Sequence, residues 1–347
     1  MRDDALLAAL LEGRTPAVAR AVSVVENGRP GFEALLAAIH PQVGRARRIG
    51  VTGPPGAGKS TLTEQLVHAW REAGHTVAVV AVDPTSPFTG GALLGDRIRM
   101  ERVALDPGVF IRSMATRGSL GGLATSTREV CDVLDAAGFD RIIVETVGVG
   151  QSELDVARMV DTTVLVLVPE SGDGIQALKS GVMEAADLFV INKSDRPGAE
   201  KVRREVELAL DLRMGKALRN IPAHHGALQS KPRDRVAASE RQDDQSWRPE
   251  VLLAVAVKGD GIPEVIAKLD RHWGWMESTG ALESRRRERL AQRTREVVER
   301  AVRRWLWEET GAGATIDGRL DDLAQGDASP YDLAGEILTT LREGARA

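Results

Sequence analysis

Cysteine is almost absent: Cys131 is the single one in 347 residues. No intrachain disulfide can form and a cysteine-rich metal centre is excluded, a composition that suits a reducing cytoplasm. Long apolar runs are missing as well. No stretch reaches the roughly 18 apolar residues that a membrane-crossing helix needs, and the opening "MRDDALLAALLEG" has too short an apolar run, and too acidic a one, for a secretion signal. The expectation is a soluble, cytoplasmic protein without a membrane partner. Positive charge is not in excess either. Against 46 Lys and Arg stand 50 Asp and Glu, a net charge of −4, which gives no overall attraction to nucleic acid or anionic lipid. Aromatic residues make up 3% and do not interleave with the arginines, so the stacking platform of a single-strand binder is lacking too.

What is present is the composition of an ordinary soluble protein, 43% hydrophobic and 28% charged. The length allows one large α/β domain with attachments, or two modest domains. Residues 3–41 carry apolar side chains at helical spacing with Gly and Pro punctuation, which predicts short amphipathic helices. From Arg47 the texture changes to strand-length apolar runs alternating with helical stretches: "RRIGVT", "TVAVVAVD", "GVFIRS", "DRIIVET", "TTVLVLVP", "DLFVINK" and "EVLLAVAV". Runs without polar alternation suit a parallel sheet covered on both faces by crossover helices. The polar segment 217–249 reads as a long connection, and its adjacent His224 and His225, with no third ligand nearby, read as surface or packing residues.

After "HWGWMESTG" a basic amphipathic helix is expected, with Leu290, Val297, Ala301 and Trp305 on one stripe and nine arginines within 285–304. It is either a solvated helix packed on its own domain or a dimerisation arm. A final helix is expected over "SPYDLAGEILTTLREGA". The division predicted is an N-terminal helical extension over 1–44, a core domain over 45–279 and a helical arm over 280–347.

One segment carries specific chemistry. Gly53-Pro54-Pro55-Gly56-Ala57-Gly58-Lys59-Ser60, followed by Thr61, has the spacing of a phosphate-binding loop, and it lies between a predicted strand and a predicted helix as the motif requires. Glycines let backbone N–H groups converge on a β-phosphate, Lys59 bridges phosphate oxygens, and the Ser60 hydroxyl ligates Mg²⁺. Further on, "FVINKSD" ends an apolar run with Asn192-Lys193-Ser194-Asp195, the Asn-Lys-x-Asp arrangement of guanine-specific GTPases. The Asp195 carboxylate can accept from guanine N1–H and its 2-amino group, whereas adenine would leave it unpaired. GTP and GDP are therefore the expected nucleotides. Between the two motifs, "RIIVETVGVGQSE" has Glu145-Thr146-Val147-Gly148 where GTPases usually have Asp-x-x-Gly. Glu145 can hold Mg²⁺ directly or through water, and Gly148 can offer its N–H to the γ-phosphate at the start of a switch segment. Gln151 is the one glutamine placed to orient an attacking water, and a poorly placed water-positioning group predicts slow intrinsic turnover.

Together with "VDPTSPFTGGALLGDRIRM" and "FIRSMATRGSLGGLA", these blocks resemble the methylmalonyl-CoA mutase-associated GTPases of the MeaB/ArgK type, over Arg14 to about Lys268. The resemblance implies an α/β fold: a doubly wound, mostly parallel sheet forming a P-loop GTPase core, with N-terminal helices and a C-terminal helical dimerisation arm. It implies a GTP-hydrolysing, homodimeric chaperone that gates cofactor loading and protects an adenosylcobalamin-dependent acyl-CoA mutase. It also implies that Asp83 and Asp96 join Glu145 around Mg²⁺ and the nucleophilic water, although Asp96 can equally cap a helix. The catalytic group expected is thus Lys59, Asp96, Glu145 and Gln151.

"PESGDGIQALKSGVMEAAD" matches the family's third mobile segment, with Asp173 and Lys179 as candidates for coupling to the partner or as ordinary helix-start residues. Arg112 and Arg117 are candidates to face the partner or the phosphates. Two departures stand out: "IRSMATRG" lacks the proline usual after the arginine, and Val255 replaces a small hydroxyl residue in the last guanine-side loop. Base binding at Val255 and Ala256 is then expected through backbone N–H groups to guanine O6. The alternatives are a metal-insertion GTPase of the hydrogenase or urease accessory type, which one cysteine and six histidines disfavour, and a transport-associated ATPase or kinase, which Asp195 disfavours.

Overall fold

The computed structural model describes residues 2–83, 100–115, 122–146, 152–169, 182–213 and 246–344. Each of the seven apolar runs forms a strand: β1 Arg47–Thr52, β2 Val77–Asp83, β3 Val109–Ala115, β4 Arg141–Thr146, β5 Thr162–Leu167, β6 Leu188–Ile191 and β7 Glu250–Leu253. They make one sheet in the order β3-β2-β4-β1-β5-β6-β7, and every neighbouring pair is parallel. The expected doubly wound α/β fold is the fold observed. Strands β4, β5 and β6 are buried at every position, as a sheet covered on both faces requires.

Alternate residues feed the two faces. Ala78, Val80, Val82, Ile142 and Val144 pack with Leu10, Val18, Val22 and Ile39 of the N-terminal helices and with Val133 and Leu134 of the helix Gly122–Ala136. On the other face Val77, Val79, Ile143, Val164 and Val166 meet Leu62, Leu66 and Val67 of the helix Lys59–Glu72, and Val265 and Leu269 of the helix Ile262–Thr279. A third group, Leu165, Leu167, Phe189 and Ile191, is covered by Val206 and Leu210 of the helix Ala199–Arg213. Each such fully buried aliphatic side chain contributes about 1.5–3 kcal/mol. Burial pushes the Cys131 thiol up to about 11, so it packs and does not react at neutral pH.

Polar anchors fix the opposite, amino edge of the sheet. The Asp135 carboxylate accepts the N–H groups of Gly44, Arg45 and Ala46 at 2.9–3.0 Å, steering the chain into β1. Arg48 donates to Asp132 and Asp135 at 2.8 and 2.9 Å. Burial alone would pull its guanidinium down, but Cys131, Asp135 and Asp161 beside it hold it above its ordinary value.

The chain divides into two compact units, Met1–Arg287 and Glu288–Ala347. Within the first, Arg285 donates to Asp187 at 2.9 Å and Arg286 to Asp161 at 2.9 Å, charge-assisted bonds beside β5 and β6. The basic helix expected after residue 280 spans Ala281–Arg304, and the last expected helix spans Pro330–Gly344. Within the second unit that last helix is capped by Ser329, whose hydroxyl accepts the Asp332 N–H at 3.1 Å while Asp332 accepts the Ser329 N–H at 3.2 Å.

Candidate nucleotide site

The carboxyl edge of a parallel sheet is where ligands of doubly wound folds bind. Here β1, β4 and β6 deliver the phosphate loop, Glu145 and Asn192 to that edge. The loop leaves β1 through Gly53, whose φ of 137° only glycine adopts readily, and an added Cβ there would strike the Val166 carbonyl oxygen of β5. Gly58 ends the loop in the left-handed region, and the helix Lys59–Glu72 starts directly behind it. Its buried stripe of Lys59, Leu62, Thr63, Leu66, Val67 and Trp70 seats the helix on the sheet, so its N-terminal N–H groups and positive dipole end are fixed beside the loop. Lys59 is 6% exposed, and its ammonium donates to the carbonyl oxygens of Gly53 at 2.7 Å and Pro54 at 3.0 Å.

On the sheet side, the Ser60 hydroxyl donates to Glu145 Oε1 at 2.6 Å, joining two residues 85 positions apart. Register explains the meeting: Val51 of β1 pairs Glu145 of β4, which puts the end of β4 under the helix that begins at Lys59. On the opposite face the buried hydroxyls of Thr52 and Thr146 bond each other at 2.9 Å, tying the two strands where both leave the sheet. Hydroxyl and carboxylate oxygens so juxtaposed are hard donors that fit Mg²⁺, which commonly takes one or two protein oxygens and completes its shell with phosphate and water. Among the described residues no group of three His, Cys, Asp or Glu is placed to hold a metal ion. Asp83 closes β2 at the same edge.

The base side is built from the ends of β6 and β7. Asn192 donates from Nδ2 to the Ala57 carbonyl at 2.9 Å and accepts the Ala256 N–H at 3.0 Å, so one buried amide ties the phosphate loop to the loop after β7. Lys193, the one non-glycine with positive φ among the described residues, donates to the Gly56 carbonyl at 2.8 Å. Asp195 is exposed and its Oδ2 accepts Lys258 Nζ at 3.2 Å.

Several sequence expectations need adjustment. The Val255 N–H donates to the Asp260 carbonyl at 3.0 Å and the Ala256 N–H to Asn192, so in this structure neither is open to guanine O6. Arg112 does not face the phosphates. Its Nε donates to Glu26 Oε2 at 2.9 Å, which clamps β3 to the N-terminal helix Thr15–Glu26. Asp96, Arg117, Gly148, Gln151, Asp173, Lys179, His224 and His225 lie outside the described residues, as does the Asp83 side chain. Of the remaining site residues, Gly53, Pro54, Pro55, Gly56, Ala57, Gly58, Glu145, Asn192, Lys193 and Asp195 fall on these loops and strand ends, and Lys59, Ser60 and Thr61 on the first turn of the helix Lys59–Glu72. Thr52, Thr146 and Lys258 are not legible in the sequence, because their partners are set by strand order and not by any motif.

Known proteins resemble this chain over most of its length. The family model described as methylmalonyl-CoA mutase-associated GTPase MeaB matches residues 18–311. A Pyrococcus abyssi relative is 42% identical, covering 98% of this chain and 97% of that one. The GTPase ArgK of Escherichia coli is 37% identical, covering 84% of this chain and 82% of that one. The crystal structure of a LAO/AO transport system kinase superposes with a TM-score of 0.63 at 28% identity, over 98% of this chain and 97% of that one. The chain is a P-loop GTPase and belongs to the MeaB family of methylmalonyl-CoA mutase-associated GTPases.

Proposed function

We propose that this GTPase is a Mg²⁺-dependent, cytoplasmic chaperone of an adenosylcobalamin-dependent acyl-CoA mutase, methylmalonyl-CoA mutase or a relative, and that it gates cofactor loading and protects the loaded enzyme. The observation that carries the reading is the family match over residues 18–311, joined to the gathering of the phosphate loop, Glu145 and the Asn192-Lys193-x-Asp195 turn at one sheet edge.

In the reaction, water attacks the γ-phosphorus in line and the bond from that phosphorus to the β–γ bridging oxygen breaks, so GDP leaves. Lys59 exchanges the carbonyls of Gly53 and Pro54 for phosphate oxygens and, with the loop N–H groups, stabilises charge on the transferring group. Ser60 and Glu145 would hold Mg²⁺, which when bound neutralises charge on the phosphates. Asp195 accepts from guanine, and the Lys193 stem lies along the base. Asp83 and Asp96 keep the metal and water roles that the resemblance implies, Gln151 orients the attacking water, and Gly148 offers its N–H to the γ-phosphate.

Homodimerisation through the helical arm is supported by the apolar side chains it exposes. Leu290, Val297, Val298, Val302, Trp305 and Trp307 are each 39–55% exposed, which a second copy would cover. The test of the chaperone reading is GTP hydrolysis by the purified protein with and without a panel of adenosylcobalamin-dependent mutases. Stimulation by one of them, lost in Lys59→Ala, supports the reading; turnover unchanged by every mutase contradicts it.

A further inference from the structure

We infer that Lys258 is a positioning residue for guanine selection, acting through Asp195; the inference rests on the guanine reading of that carboxylate. Asp195 lies on the surface, and an exposed aspartate ordinarily samples several rotamers, most of which would present the wrong edge to a base. Here the carboxylate is held by Lys258 Nζ, 3.2 Å from Oδ2.

The two loops that carry the pair are themselves stitched together. The Ser194 N–H donates to the Ala254 carbonyl at 3.0 Å, and the Ala256 N–H donates to Asn192 at 3.0 Å. The loop after β7 is tightened by the Val255 N–H on the Asp260 carbonyl at 3.0 Å and the Lys258 N–H on the Val255 carbonyl at 2.8 Å. Gly261 then turns the chain into the helix Ile262–Thr279 with a φ of 78°, where an added Cβ would strike the Leu253 carbonyl oxygen. Lys258 is thereby presented to Asp195 by backbone geometry and not by chance contact of two long side chains.

The chemistry leaves room for the base. A carboxylate offers about four acceptor directions. Lys258 takes one on Oδ2, so Oδ1 and the second direction of Oδ2 are available for N1–H and the 2-amino group of guanine. The ammonium fixes the plane of the carboxylate while the base docks. Its contact is with the base-reading carboxylate, so its effect belongs to base affinity and not to turnover.

The test compares nucleotide binding by calorimetry for the full chain, Lys258→Ala and Lys258→Arg, each also with Asp195→Asn. The carboxamide introduced by Asp195→Asn can donate to the C2 carbonyl of xanthine and accept its N1–H, so that variant is expected to favour xanthosine diphosphate over GDP, and it carries no charge for Lys258 to hold. Lys258→Ala is expected to weaken GDP and a non-hydrolysable GTP analogue alike, by about two- to fivefold, the range of an exposed ion pair. Lys258→Arg restores binding, and the loss shrinks in about 0.5 M salt. With Asp195→Asn in place, Lys258→Ala leaves xanthosine diphosphate affinity within about twofold. Unchanged or tighter GDP binding by Lys258→Ala overturns the inference, as does an equal loss in both backgrounds. If Asp195→Asn itself leaves the preference for guanine intact, the guanine reading of Asp195 fails, and the inference with it.

Discussion

At the residue scale, the Ser60–Glu145 contact of 2.6 Å is the step from fold to chemistry, because two oxygen donors 85 residues apart meet only through the pairing of β1 with β4. Glu145→Gln keeps the shape and the hydrogen bond and removes the charge. Its expected effect is a rise of about tenfold in the Mg²⁺ concentration needed for half-maximal GTP hydrolysis, with nucleotide binding retained; an unchanged Mg²⁺ requirement would separate Glu145 from the metal. Gly53 carries a different constraint. With φ at 137° and the Val166 carbonyl against the missing Cβ, Gly53→Ala must shift either the loop or β5. A loss of about 1–3 kcal/mol in chemical denaturation is expected, together with weakened GDP binding. Wild-type stability and affinity in that variant would mean the loop is not held against β5.

At the element scale, the helix that begins at Ala281 is pinned by Arg285 on Asp187 and Arg286 on Asp161. Burial pushes the Asp187 carboxyl up, but the facing His272 and Arg285 outweigh it and hold the group below the usual carboxylate range. A depressed carboxylate stabilises the fold above its unfolded value, near pH 4, and that contribution is lost as pH falls through the lower folded value. Asp187→Asn is therefore expected to cost about 1–3 kcal/mol in urea denaturation at pH 7, and the gap to wild type should narrow as pH falls below the unfolded value near 4. A gap that stays constant with pH would rule the carboxylate charge out as the cause.

The same elements mark how far the sequence is legible. All seven strands announce themselves as apolar runs, and the phosphate loop and the Asn-Lys-x-Asp turn are contiguous motifs, so fold and nucleotide are readable before any coordinates. What spacing cannot give is which strand lies beside which. That is why Arg112 reads as a phosphate or partner residue, while its actual partner, Glu26, lies 86 positions away on a helix packed beside β3. It is also why the N–H groups of Val255 and Ala256 read as free for guanine. The backbone bonds that occupy both groups come from the turn to Asp260 and from Asn192 across the sheet edge.

At the scale of the whole molecule, the exposed Val298 and Val302, 55% and 51% exposed, are the natural place to test dimerisation. Val298→Asp combined with Val302→Asp is expected to shift sedimentation equilibrium from dimer to monomer while leaving GDP affinity within about twofold, since the nucleotide site lies wholly in the other unit. A dimer that survives the pair of charges would place the contact elsewhere. The central claim is that nucleotide state is a signal read by a mutase, and a ligand can act so only if the partner binds the two states with different affinity. The measurement that tests it most directly is the affinity of the protein for purified methylmalonyl-CoA mutase in the presence of GDP and of a non-hydrolysable GTP analogue. The account predicts binding in both titrations with dissociation constants at least about fivefold apart, a coupling near 1 kcal/mol; equal affinity in the two states, or no binding in either, would contradict it.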